Sequence, residues 1–249
     1  MKAVVSNGPL PARAVRAVDY PSTDAEWDMP EGTRHSRLCE IMYQLLRVVV
    51  GPGSTVGADQ FVYFVAGEPK RKCAPDAFVK LGVPQAEFLS WKTWEDGTPE
   101  LCVEILSASD TKEKLTLKQK LTRFRAMGTR EVLVYDVDAA PGTRLRAWDH
   151  VDGDLRPRTV EGDSTPCRTL GLWFVIAPCA DEGQVHALRL AEDSEGRSLV
   201  QTLAEQRGAK LDAVRHAAEV ERKAAEVERQ AKEAALARIA ELEAKLARR

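Results

Sequence analysis

The sequence predicts an α/β protein, a mixed sheet flanked by helices and followed by one long C-terminal helix. Three observations predict it. Apolar residues recur at helical spacing between Thr33 and Val50 and stop at Gly51-Pro52-Gly53. Short runs with strand character, bounded by turn residues, follow from Ser54 onward. Beyond Gly208 the composition changes to Ala, Glu, Lys and Arg without proline. Of 249 residues, 44% are hydrophobic and 30% charged, which suits one sizeable core plus an appendage.

Taken in order, residues 1–30 hold Pro9, Pro11, Pro21 and Pro30 without sustained periodicity and read as an irregular N-terminal arm. A core domain spans 31–200. Its first helix, 33–50, presents Leu38, Ile41, Met42, Leu45, Leu46 and Val49 on one side, with Thr33 as the candidate cap. Three strand candidates follow: STVGADQFVYFV at 54–65, KCAPDAFVKLGV at 72–83 and ELCVEILS at 100–107. A surface insertion holding Trp91 and Trp94 separates the last two. Residues 111–127 read as a helix ended by Gly128 in the left-handed conformation. EVLVYDV at 131–137 is a further buried strand, residues 143–160 alternate about Asp152-Gly153 as a hairpin, and LGLWFVIAP at 170–178 adds a last apolar run.

Residues 201–249 are expected to form a coiled-coil tail. Val220, Ala224, Val227, Ala231, Ala235, Ile239, Leu242 and Leu246 fall three or four apart, with one slip in the heptad. The tail carries 11 Lys plus Arg against 9 Asp plus Glu, the balance of a solvated partner helix rather than a basic arm. A homodimer through this helix is expected.

Net charge excludes one class of function. At −2, the chain does not coat nucleic acid through bulk charge, although a local basic site stays compatible with that value. No apolar run reaches the length of a membrane span or signal segment, so a cytoplasmic protein without membrane association is expected. The five cysteines are read as scattered, with no CxxC and no His at ligand spacing, which suits a reducing compartment. Cys39 and Cys102 read as small core residues. P-loop, GxGxxG, GxSxG and HExxH motifs do not occur.

The chemistry concentrates around Glu104. It lies among Leu101, Cys102, Val103, Ile105 and Leu106, in a run that reads as a strand covered on both faces. A carboxylate there needs a cation or hydrogen-bond donors, because burying it alone costs several kcal/mol or forces protonation. Strand alternation puts Asp76 on one face with Ala74, Phe78 and Lys80, so two carboxylates converge if the strands are neighbours. Hard oxygen ligands of that kind suit magnesium or manganese. On the following helix, about 100° per residue from Leu117 places Leu121 near 40°, Phe124 near 340° and Met127 near 280°. Lys120, near 300° on the same wheel, falls inside the packed arc. Asp, Glu and Lys about a divalent ion are the groups that phosphodiester hydrolysis uses.

The order helix, three strands, helix, strand, with Pro75-Asp76 on the second strand and Glu104 on the third, resembles the PD-(D/E)XK restriction-endonuclease-like superfamily. More narrowly, APDAFVKLGVP, CVEILSASDT and KLTRFRAMGTREVLVYDV are similar to the bacterial Uma2 family of endonucleases. The resemblance implies a DNA-cleaving enzyme with Mg2+ or Mn2+ as cofactor, Asp76 and Glu104 as metal ligands, and the Ile105 carbonyl as a further one. It places the catalytic lysine at Lys120 on the helix, since the superfamily's usual lysine position is Leu106 here. His35 resembles a frequent family histidine, although its ordinary reading is a helix-start cap or surface residue. Asp59 is an extra candidate acid. Lys112, Lys114, Lys118, Arg123 and Arg125 are candidates for tracking DNA phosphates. The alternative is a catalytically inactive nuclease-fold module that acts through its coiled coil.

Overall fold

The structure, a computed structural model, describes residues 18–21, 32–107, 115–179 and 186–247. The chain divides into two units, Met1–Val200 and Gln201–Arg249. Most of the expected N-terminal arm, together with Lys112 and Lys114, lies outside the described residues.

In chain order the first unit contains α1 (Thr33–Val50), β1 (Thr55–Gly57), β2 (Val62–Tyr63), β3 (Lys72–Cys73), β4 (Ala77–Lys80), β5 (Trp91–Lys92) and the short α2 (Thr93–Asp96). It continues with β6 (Leu101–Leu106), α3 (Leu117–Met127), β7 (Glu131–Asp136), β8 (Leu145–Val151) and β9 (Asp154–Arg158). Then come β10 (Ser164–Cys167), β11 (Leu172–Pro178) and β12 (His186–Ala191). The main sheet runs β1-β4-β6-β7-β8-β9, and two smaller sheets run β3-β2-β5 and β10-β11-β12. The β6–β7 pair is parallel, as a crossover through α3 requires, and the other neighbours in the main sheet are antiparallel.

The near-continuous apolar run of β6 is explained by cover on both faces. Leu101, Val103 and Ile105 join the cluster of α1 residues Leu38, Met42, Leu45 and Leu46. Cys102 joins the opposite cluster, with Phe78, Val132 and the α3 residues Phe124 and Met127. Glu104, two residues on from Cys102, is on the α3 side. Between β1 and β4, Gly57 stands opposite Phe78, and a Cβ on Gly57 would meet the Phe78 ring at 2.2 Å.

Several boundaries differ from the sequence reading for local reasons. Thr33 is the first helical residue of α1, and Gly32 is its N-cap. The run 54–65 divides at Asp59, which has left-handed backbone (φ 61°), so β1 and β2 enter different sheets. The run 72–83 divides at Ala74–Asp76, because Pro75 has no N–H for a ladder. α3 starts at Leu117, where Thr116 and Gln119 form a reciprocal capping box, and residues 111–114 of the expected helix lie outside the described residues. Its end at Gly128, φ 83° in the left-handed region, agrees with the expectation. Trp91 is not on a surface insertion; it is 3% exposed, and its indole N–H donates to the Gly97 carbonyl at 2.8 Å. The β8–β9 hairpin turns at Asp152 and Gly153 as expected, both with positive φ.

The main sheet is joined to the loop after β10 by a buried carboxylate. Glu131 accepts from Arg158 Nη2 at 2.7 Å, from the Thr169 N–H at 2.8 Å and from the Thr169 hydroxyl at 2.7 Å. In the second unit, α4 spans Leu203–Leu246, starts upstream of Gly208 and passes through it. Thr202 and Glu205 form its capping box, and no residue of the helix is buried. Among the described residues, no helix is long and apolar enough to cross a membrane.

Candidate active site

Two neighbouring strands deliver the carboxylates. The β4–β6 register puts Ala77 opposite Val103, so one further step sets Asp76 opposite Glu104 and another sets Pro75 opposite Ile105. The regular ladder stops there. Pro75 has no N–H to offer the Ile105 carbonyl, and its own carbonyl accepts from Asp59 N–H at 3.1 Å. The Ile105 N–H turns instead to the Asp76 side chain, donating to Oδ2 at 2.5 Å. With the Pro75 carbonyl bonded to Asp59, the Ile105 N–H has a carboxylate in place of a backbone partner, and this anchors Asp76 on the peptide that joins Glu104 to Ile105.

This arrangement differs from the same-face convergence expected from alternation. Asp76 occupies a bend ahead of β4, and its Oδ1 lies 3.5 Å from Nε2 of His35 on α1. Glu104 turns to α3, where its Oε2 accepts a short hydrogen bond from the Lys120 ammonium. The two acids therefore meet at one end of the β4–β6 ladder through a shared peptide, rather than side by side on one face.

Burial makes the charged groups interdependent. Glu104 is 1% exposed, Asp76 5% and Lys120 9%. Lys120 does what its helical phase predicts, pointing among the residues that pack on the sheet. Two thiols back this region. Burial first, then the Glu104 charge, pushes the Cys73 thiol far above its usual range. Burial likewise raises Cys102 well above its usual value. Neither is a nucleophile near neutral pH.

The remaining candidates fall differently. His35 is neither a cap nor a surface residue; it is buried within α1, and Sγ of Cys39 lies 3.3 Å from its Nε2. The expectation that no His stands at ligand spacing from a Cys is thereby corrected, since residues four apart on a helix share a face. The signal was legible as His35-x-x-x-Cys39. Asp59 is exposed at a turn, tied to the site through its backbone bond to Pro75. Lys118 is exposed on α3. Arg125 is also exposed and pairs with Asp154 at 3.4 Å. Arg123 is half-buried and donates to the Lys72 carbonyl at 2.5 Å, a structural link from α3 to β3.

No curated protein matches the chain. Among solved structures, a protein from Anabaena variabilis ATCC 29413 titled a "putative nuclease belonging to DUF820" is similar, at 15% identity and a TM-score of 0.40 over 57% of this chain and 75% of that one. A family profile described as "Putative restriction endonuclease" matches residues 17–211, and this places the chain in the Uma2 family, with its restriction-endonuclease-like mixed α/β core.

Proposed function

We propose that the chain is a metal-dependent endonuclease that hydrolyses DNA phosphodiester bonds. The observation that carries this reading is the buried Lys120–Glu104 pair at the broken end of the β4–β6 ladder, where the next peptide N–H, that of Ile105, holds Asp76. The donors fit a hard divalent cation. Asp76 and Glu104 supply carboxylate oxygens, and the Ile105 carbonyl lies opposite a proline that cannot donate to it, so three oxygen ligands come from the ends of two adjacent strands. Mg2+ or Mn2+ bound there polarises a phosphoryl oxygen and lowers the pKa of water.

The chain's own groups set the electrostatics. Lys120 sets an ammonium against the buried Glu104 carboxylate, the counter-charge that a carboxylate away from water requires. Its ammonium also offers positive charge to the phosphoryl group as negative charge accumulates during attack. The Ile105 N–H fixes the Asp76 carboxylate in orientation. Lys118 and Arg125, exposed on α3, supply charge for the DNA backbone.

Cleavage of supercoiled plasmid in Mg2+ or Mn2+ tests this reading. Glu104→Gln and Lys120→Met are each expected to lower the rate about 100-fold or more. Cleavage that persists unchanged in both variants would overturn the assignment. A second role is favoured by α4, whose Val220, Val227, Ile239 and Leu242 are all at least 47% exposed along the expected seam. We assign that helix to pairing with a second copy of the chain.

A further inference from the structure

α1 carries donor atoms that the nuclease reading does not use. His35 and Cys39 are one helical turn apart and 1% and 4% exposed. Nε2 of His35 lies 3.3 Å from Sγ of Cys39 and 3.5 Å from Oδ1 of Asp76. The three donor atoms all fall within 4.8 Å of one another.

We propose that His35, Cys39 and Asp76 form a binding site for Zn2+. One nitrogen, one sulfur and one carboxylate oxygen make a zinc donor set, whereas Mg2+ and Ca2+ select oxygen alone. The dimensions agree as well. Zinc bonds of about 2.0–2.1 Å to nitrogen, about 2.3 Å to sulfur and about 2.0–2.2 Å to oxygen give tetrahedral ligand separations of about 3.3–3.6 Å. The separations from Nε2, 3.3 Å to sulfur and 3.5 Å to oxygen, lie within about 0.3 Å of those edges, and the sulfur and oxygen stand within 4.8 Å of each other, so a small side-chain adjustment closes the set. Binding forms a Zn–S bond as the Cys39 S–H bond breaks, and the proton passes to solvent. His35 enters as neutral imidazole through Nε2, and water takes the fourth position.

The ion has a structural consequence. Asp76 holds the Ile105 N–H through Oδ2, so zinc on its other oxygen ties α1 to the end of β6. Asp76 is shared with the proposed nuclease site, but His35 and Cys39 are not, and the zinc assignment stands whether or not the chain cleaves DNA.

Co2+, added to the metal-free full-length protein, is the probe. One ion per chain is expected, with sulfur-to-cobalt charge-transfer absorption and the intense visible bands of a tetrahedral site, both abolished by one equivalent of Zn2+. Cys39→Ser should remove the charge-transfer band, and Cys179→Ser should keep it. Absence of the band from the wild type, or its survival in Cys39→Ser, overturns the proposal. X-ray absorption of the zinc-loaded wild type needs no variant: a sulfur scatterer at about 2.3 Å is expected, and a shell of nitrogen and oxygen only rules the site out.

Discussion

The Lys120 ammonium on α3 donates to Oε2 of Glu104 on β6, a contact made inside the protein between residues 16 apart in sequence. Neither partner tolerates loss of the other. Lys120→Met leaves an uncompensated buried carboxylate and is expected to cost about 3–5 kcal/mol of stability, whereas the double variant with Glu104→Gln regains much of that loss. Urea denaturation of the full cycle reads the coupling. Additive costs would show that the two groups do not support one another.

Glu131 offers a comparison away from the proposed chemistry. It accepts from Arg158 and from two groups of Thr169 while only 2% exposed. Glu131→Ala is therefore expected to destabilise by about 3–5 kcal/mol. Calorimetry should record the lower melting temperature, and a change of under about 0.5 kcal/mol, the range of ordinary surface substitutions, would contradict the buried network.

At Gly57 the constraint is space. An added methyl would sit 2.2 Å from two carbons of the Phe78 ring, itself fully buried. Gly57→Ala is expected to cost about 1–3 kcal/mol through overpacking. Phe78→Leu in the same chain should relieve part of that cost. Equal stability of Gly57→Ala and wild type in chemical denaturation would refute the contact.

The buried thiols make a pH prediction. Burial first, and then the Glu104 charge for Cys73 and the Glu131 charge for Cys167, hold both thiols above their ordinary value of 9.0. Burial raises Cys102 in the same direction. Near pH 9.0 the unfolded chain loses thiol protons that the folded chain keeps. Their contribution to stability is thus fully present below that pH and declines above it. Mass spectrometry after alkylation of the native protein should find Cys73, Cys102 and Cys167 unmodified and the half-buried Cys179 labelled. Rapid native labelling of Cys73 would break the argument.

α4 exposes apolar residues along its whole length. If the helix pairs with a second copy, removal of residues 209–249 converts the particle to the monomer mass in light scattering. A full-length chain that already scatters as a monomer would exclude this pairing.

Much of the architecture was legible in local pattern. The period of α1, the double-sided apolar run of β6, the turn at Asp152-Gly153 and the helical phase of Lys120 follow from side-chain chemistry within a few residues. Strand breaks were less legible. Asp59 leaves the strand through its backbone conformation, and the consequence of Pro75 depends on which residue lies opposite.

Register and crossing are properties of several segments at once, and the site depends on both. Alternation along one strand says which face a side chain takes. It does not say that Asp59 will take the Pro75 carbonyl and leave the Ile105 N–H to Asp76, or that α1 will bring His35 and Cys39 against the same carboxylate. Residue identities made a buried acid near a lysine foreseeable from charge and periodicity alone. The zinc-shaped cluster became visible only when folding set a helix turn against a strand end, because ligand geometry is a matter of ångströms between atoms far apart in the chain.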